Sequence, residues 1–417
     1  MDKWKIYTPE GAQDILFDEC FAKRNIEQKI RNLFRECGYY EVETPTLEFY
    51  DVFASENGQI PNETMFKIFD QQGRILVLRP DLTVPIARIT ATKYRNMKFP
   101  LRYFYIGNTF RYNELGGGKQ KEFTQAGVEI LGVSTPEAEA EVIATAITSL
   151  RCTGLDNFQI DIGQIDFFRG IMEETGLSEK EIEQVRVLID KKDNVALEEL
   201  VYTHDIRDDL KELILNIPGL FGSADVIEKA EEIGLSEKTQ KAIDNLRKVL
   251  EILDDYGYSK YVSVDLGMIQ SLNYYTGIIF RGFTYGVGFP ILTGGSYNNL
   301  VGQFGKNCPA TGYSLGINMI MGALERQKIE TDKPHVDSLI CYGEKGRKNA
   351  FKICNELRNQ GLSVEIDIEN KGIDSAKEFA KGKDIGGVIF VFDEKKIEIH
   401  DIESGEITAT TIEELVK

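Results

Sequence analysis

YFYIGNTFRYNELGGGKQKEFTQAGVEILG, from Tyr103 to Gly132, decides how this chain is read. Aromatic and β-branched residues fill both arms, and Gly116, Gly117 and Gly118 between them permit backbone angles that other residues resist. The pattern predicts a long β-hairpin. In the second arm side chains alternate, so Thr124, Ala126, Val128 and Ile130 share an apolar face, read as core, while Phe123, Gln125, Gly127, Glu129 and Leu131 share the other. Gln125 and Glu129 stand on the order of 13 Å apart along a strand, with a side-chain-free glycine between them. A small zwitterion has room over that glycine. A solvated outer strand, with Gly127 marking a bulge or a close backbone approach, fits the period equally well.

Outward from the hairpin, 417 residues suffice for two or three domains with real cores. A formal charge of −18 gives no overall electrostatic reason to expect a nucleic-acid or acidic-membrane surface, although it leaves room for a local basic patch. Cys20, Cys37, Cys152, Cys308, Cys341 and Cys354 lie far apart without CxxC or zinc-finger spacing. Most are expected to be reduced, buried thiols, with no structural disulfide. The N-terminal MDKWKIYTPEG lacks the apolar run of a signal peptide, and no segment offers the roughly 20 apolar residues that span a bilayer. The expectation is a cytoplasmic protein without a membrane partner.

Apolar residues at helical spacing, Phe21, Ile26, Ile30, Leu33, Phe34 and Cys37, predict an amphipathic helix from Glu19 to Cys37, closed by Gly38. A strand from Tyr39 to Thr44 stops at Pro45. A hairpin about Gln71 to Gly73 follows, its second strand delivering Arg79, Asp81 and Thr83, and then a helix from about Val84 to Tyr94. Beyond the central hairpin the pattern gives a helix from Thr135 to Leu150, with Pro136 in its first turn, and a strand from Phe158 to Ile162. Residues 167–258 turn highly charged and leucine-rich at helical period, with a capping box from Ser178 to Glu181 and a second Ser-Glu-Lys start at Ser236, and read as a helical insertion without chemistry. A strand from Thr276 to Thr284 resumes the sheet, and Gly286, Gly288, Gly294 and Gly295 break the chain before a helix starting near Tyr297. The GGS there is weak evidence for a phosphate cradle, and close backbone packing around a pocket is the preferred reading. After a strand entering a helix (TGYSLGINMIMGALERQ) and a linker from Glu325 to Pro334, a compact α/β unit closes the chain.

The hairpin's FR, fixed loop and EFTQAGVEILG resemble motif 2 of the class II aminoacyl-tRNA synthetases, in the version used by histidyl-tRNA synthetase. TPEGAQDIL at Thr8, GYYEVETPTLE at Gly38 (motif 1), LRPDLTVPIAR at Leu78, SLNYYTGIIF at Ser271 and TGGSYNNL at Thr293 follow in that family's order over roughly the first 325 residues. The resemblance implies an α+β fold: a class II synthetase-like antiparallel sheet flanked by helices over 1–325, interrupted by the insertion at 167–258, and a small anticodon-binding-like α/β domain over 335–417. It implies a homodimer built largely on the motif 1 helix and strand. The C-terminal domain carries a net charge of about −5, so any RNA-binding face there is local.

A histidine ligand presents an ammonium, a carboxylate and an imidazole, each demanding its own partner. By resemblance, Asp81, Thr83 and Gln125 hold the ammonium, Glu129 and Tyr275 read the imidazole, and Arg111 and Tyr274 complete the expected histidine-binding set. Taken singly, Asp81 and Thr83 also read as a helix cap and Tyr275 as a core aromatic. The activation machinery departs from the family. QSLNYY stands for RGLDYY, placing Gln270 and Asn273 where an arginine and an acid belong; FRYN stands for FRxE at Asn113; GINM stands for GLER at Asn318 and Met319; and Ser296 replaces another arginine. Lys119, Lys121 and Arg111 remain to meet phosphate. Each lost oriented charge costs ~10²- to 10³-fold in rate.

A histidine pocket retained without its activation residues resembles the ATP phosphoribosyltransferase regulatory subunits. The resemblance implies a non-catalytic regulatory role in the first step of histidine biosynthesis, with a short catalytic subunit as partner and histidine as feedback effector. Many members of that family are shorter and lack a C-terminal domain, which keeps a histidyl-tRNA synthetase, or an RNA-binding amino-acid sensor, as the alternative. tRNA is not an expected partner, and no cofactor is expected. His204, His335 and His400 are isolated in sequence and read as surface or packing residues, so no metal site is assigned.

Overall fold

The computed structural model describes residues 3–54, 60–94, 97–112, 120–232, 236–269, 275–393 and 396–415. Two compact units divide the chain, residues 1–331 and 332–417. In the first, helix α1 (Phe17–Glu36) buries Ala22, Ile26, Ile30 and Phe34, four residues apart. Phe21 lies about 100° off that line and is exposed, as is Cys37 just past the helix end. Of the strand expected over 39–44, Tyr40–Glu41 (β1) pairs. Strands β2 (Leu47–Phe49), β3 (Lys67–Phe69) and β4 (Ile75–Leu78) form a separate small sheet in the order β2-β4-β3. Thr83 does not belong to a strand but opens helix α2 (Thr83–Thr92), because the Asp81 side chain accepts the Val84 N–H at 2.9 Å and starts the helix early.

The central hairpin is β5 (Leu101–Phe110) and β6 (Glu122–Leu131), paired so that Tyr103 faces Glu129, Tyr105 faces Gly127 and Gly107 faces Gln125. Its expected turn glycines, Gly116 to Gly118, lie outside the described residues. Helix α3 (Pro136–Cys152), capped by Thr135, and strand β7 (Phe158–Gln164) follow. The insertion comprises α4 (Ile165–Thr175), α5 (Glu179–Asp190) with its capping box at Ser178, α6 (Asn194–Thr203), α7 (Asp208–Asn216), the short strand β8 (Phe221–Gly222), α8 (Val226–Glu232) and α9 (Glu237–Asp255). The core then resumes with β9 (Val262–Asp265), β10 (Ile278–Thr284), β11 (Leu292–Ser296), β12 (Ala310–Gly316) and α10 (Ile317–Arg326).

These strands form one sheet in the order β1-β5-β6-β12-β11-β10-β7-β9-β8. Its pairs are antiparallel except β1 with β5 and β7 with β9. Every residue from Thr124 to Leu131 is buried, because a core packs on each face of the sheet here, and the solvated outer strand is excluded. Ala126, Val128 and Ile130 pack into the same core as Phe34 and Ile143, while Tyr105 and Leu131 join a second core with Leu82 and Ile86.

Two local expectations fail around the glycines of 286–295. Gly294 and Gly295 do not break the chain but lie within β11, and no α-helix starts at Tyr297, where the described chain makes only a 3₁₀ turn over Val301–Phe304. Glycine persists in this strand because a side chain at Gly294 would meet the Phe280 ring and Tyr313 Cβ, and one at Gly295 would lie 2.8 Å from the Tyr275 ring. The thiols also depart from expectation: all six cysteines are free, but only Cys308, Cys341 and Cys354 are buried.

The second unit contains β13 (Ser338–Tyr342), α11 (Arg347–Asn359), β14 (Val364–Ile366), α12 (Ile373–Gly382), β15 (Gly387–Val391), β16 (Ile397–Asp401), β17 (Ile407–Thr410) and α13 (Ile412–Leu415). Its sheet, β14-β13-β15-β16-β17, is parallel across the first three strands and antiparallel thereafter. Apolar clusters cover both faces, one around Ile353 and Ile389 and one around Ala376 and Val388. His400 is buried, and burial holds its ring below the ordinary histidine range; Nε2 lies 3.3 Å from Glu398 without hydrogen-bond alignment. Among the described residues no helix is long and apolar enough to cross a membrane.

Candidate functional site

The centre of the sheet holds a small cavity of about 210 Å³. Asp81, Thr83, Arg111, Gln125, Glu129 and Tyr275 all line it, joined by Tyr297 and Gly312. Tyr274, also expected here, lies outside the described residues. The side chains arrive from four places in the fold: Asp81 and Thr83 from the start of α2, Gln125 and Glu129 from one face of β6, Tyr275 from the approach to β10 and Tyr297 from the end of β11. Arg169 of α4 fixes the Tyr275 segment by donating to its carbonyl at 3.0 Å.

Polar partners divide the cavity into three parts. Glu129 accepts from Tyr105 Oη at 3.2 Å on Oε1 and from Tyr297 Oη on Oε2, and Thr83 Oγ1 lies 3.3 Å from the Tyr105 hydroxyl. Burial pushes the Glu129 carboxyl up to about 8, against the hydrogen bonds from Tyr297, Thr83 and Tyr105 that favour its charged form. Asp81 is likewise raised by burial, with the Arg111 guanidinium 3.9 Å from Oδ2 opposing the shift. Arg111 also donates to the Pro80 carbonyl at 2.7 Å, which aims its planar head at the cavity. The third part is Gln125, whose buried Oε1 has no hydrogen-bond partner among the described residues. A buried carbonyl oxygen in that condition costs about 1–3 kcal/mol unless a ligand satisfies it.

Tyr105 and Tyr297 are the residues that the sequence reading missed. Both look like ordinary core aromatics in a strand context. Register carried the signal for Tyr105: standing opposite Gly127, it sends its hydroxyl across that residue towards Glu129. A Cβ at Gly127 would lie 2.5 Å from Tyr105 Oη, so the space over this glycine belongs to the tyrosine and not to a ligand. Gly312 serves Glu129 in the same way, since a side chain there would overlap the carboxylate.

A second cavity of about 590 Å³ adjoins the first through Arg111, Gln125, Thr293 and Ser314. Asn318 and Met319 of its wall, and the buried Ser296 outside it, stand where the family resemblance places charged activation residues. Asn318 accepts the Thr124 N–H at 2.9 Å and donates to Gln120 at 2.7 Å, tying α10 to β6. Met319 packs against the main core, and Ser296 donates to Glu139, which also accepts from Asn245 of α9 at 2.9 Å. Lys121 lies over the Tyr112 ring, 4.5 Å from its centroid, and does not line the cavity. Arg111 and Arg326 are the cations on the described wall, and Arg326 donates to the Gly286 carbonyl. Asn113, Lys119, Gln270 and Asn273 lie outside the described residues. Among the described residues no group of three or more histidine, cysteine, aspartate or glutamate side chains is placed to hold a metal.

The histidyl-tRNA synthetase family profile matches residues 11–320. The chain is 66% identical to the ATP phosphoribosyltransferase regulatory subunit of Acetivibrio thermocellus, over all of both chains. It is 55% identical to that of Ruminiclostridium cellulolyticum over 100% of this chain and 99% of the other. The C-terminal unit is therefore shared with these relatives. Among solved structures, one described as an ATP phosphoribosyltransferase regulatory subunit/histidyl-tRNA synthetase from Bacillus halodurans superposes with a TM-score of 0.83 at 31% identity, covering 93% of this chain and 99% of that one.

Proposed function

The chain belongs to the family of ATP phosphoribosyltransferase regulatory subunits, and from that premise we propose that it binds histidine in the small cavity and reports it to a separate catalytic subunit in the cytoplasm. The observation that carries the ligand assignment is the unpartnered Gln125 Oε1 beside Asp81 and Thr83, three acceptors gathered where an α-ammonium would donate. Arg111 would take the carboxylate, and Glu129 and Tyr275 the ring. Catalysis belongs to the partner: Asn318 and Met319 give the adjoining cavity no oriented charge for an adenylate, and Asn318 and the buried Ser296 are occupied in packing the fold. Feedback then rests on histidine binding one state of the complex more tightly than the other.

A homodimer through the N-terminal third is supported by the exposed apolar residues Leu47, Phe49 and Ile68 of the small sheet and Phe17 of α1. The test is reconstitution. Added to a short-form ATP phosphoribosyltransferase catalytic subunit, the chain should raise its activity and make it sensitive to histidine; Tyr275→Ala should keep the activation and lose most of the sensitivity. No change in the activity or histidine response of the catalytic subunit would remove the regulatory assignment.

A further inference from the structure

Glu129 is unusual among the buried acids of this chain in having hydroxyls on both oxygens and no cation. Its neighbours can be taken element by element. From β5 come Tyr105, bonded to it, and Tyr103, directly opposite in register; from the start of α2 come Thr83 and the acid Asp81; from the end of β11 comes Tyr297; and β12 presents Gly312, without a side chain. Arg111, the cation on the cavity wall, lies beside Asp81. Among the described residues no lysine, arginine or histidine pairs with Glu129.

A carboxylate taken out of water without a counter-ion is costly, and such a group keeps its proton instead. The situation changes when a ring with a basic nitrogen arrives. Building on the histidine assignment above, we infer that Glu129 is a neutral acid in the empty pocket and passes its proton to the ring of bound histidine, which is then held as an imidazolium against a carboxylate. The proton leaves a carboxyl oxygen of Glu129 for the ring nitrogen facing it, and none is gained or lost overall. Tyr105 and Tyr297 are positioning residues in this step. Their hydroxyls already donate to the two oxygens, so they stabilise the carboxylate at the moment it forms.

The balance fixes a pH signature. With Glu129 raised to about 8 and a free ring titrating near 6.5, Glu129 and the free ring together carry about one proton near pH 7.2, the same number as that pair when bound. Net proton exchange on binding is expected to be about zero at that pH, rising to release of about one proton well below it and uptake above it.

Two measurements on the full chain test this. Ring-¹⁵N-labelled histidine, bound at pH 7.2 and read by NMR, should show both nitrogens protonated, although the free ligand at that pH is mostly neutral. Calorimetry at pH 7.2 in two buffers of different ionisation enthalpy should give the same heat. In Glu129→Gln the bound ring should revert to the neutral form, with affinity at least tenfold weaker. A neutral ring in the unaltered chain overturns the proposal. A charged ring accompanied by uptake of about one proton from buffer shows that Glu129 was ionised beforehand and overturns it too. Failure of histidine to bind at any pH would instead remove the histidine assignment on which the proposal rests.

Discussion

Truncating Glu129 to alanine is expected to weaken histidine binding by about 10²- to 10³-fold, the size of effect seen when one partner of a buried, hydrogen-bonded polar pair is lost. Two costs add. The ligand ring loses its acceptor, and the Tyr105 and Tyr297 hydroxyls lose theirs. Thr83 Oγ1, 3.3 Å from the Tyr105 hydroxyl, can compensate for part of the second cost but not the first. Titration calorimetry measures the loss, with a thermal melt to check that the sheet is intact. A loss below threefold would mean that the ring does not lie against Glu129.

The largest effect on stability is expected at Arg79, which touches no ligand. Its guanidinium is buried and donates to the carbonyls of Thr44 and Asn108, while its main chain pairs with Thr46 and Phe110. One residue thus ties the segment after β1, the end of β4 and the central hairpin together. The close fit depends on Gly107, where a Cβ would lie 2.6 Å from the guanidinium. Arg79→Met should destabilise the first unit by about 3 kcal/mol, because the buried Thr44 carbonyl and the part-buried Asn108 carbonyl both lose a charged donor. Arg79→Lys should recover only part of this, since an ammonium cannot reproduce the fork. Urea unfolding followed on the first unit's transition measures both. A midpoint unchanged in Arg79→Met would show that the carbonyls find other donors.

Much of this architecture was legible before the fold was known, and the exceptions have physical causes. The alternation from Phe123 to Leu131 announced a strand, but period alone could not say that a core packs on each of its faces. Gln125 and Glu129 stood out because long polar side chains are costly inside a sheet. Tyr105 and Tyr297 did not stand out, because a tyrosine looks the same whether its hydroxyl meets solvent or a buried carboxylate. Gly127 was legible as a close approach, but not as an approach by Tyr105. Thr83 was placed in a strand because the Asp81 cap starts α2 earlier than the apolar period shows. Gly294 and Gly295 read as breakers because propensity penalises glycine in strands; packing against Phe280, Tyr313 and Tyr275 decides otherwise. Six of the seven residues named for the site line one cavity, and that grouping came from resemblance to a family rather than from local pattern.

Asn318 and Ser296 are built into the packing of the fold. In a pocket that had merely lost charged groups, the replacements would be bystanders. Here Asn318 joins α10 to β6 and Ser296 joins β11 to Glu139, which also receives Asn245 from the insertion. Restoring arginine at Ser296 would put a long cation into a buried position already filled by these contacts.

The most direct test of the whole account combines histidine binding and histidine-dependent ATP–pyrophosphate exchange, measured on one sample of the purified chain. Saturable binding with exchange at background is the predicted result, a pocket that recognises histidine on a body that does not activate it. Robust exchange would contradict it, because adenylate formation needs phosphate-stabilising charges, and Ser296, Asn318 and Met319 carry none.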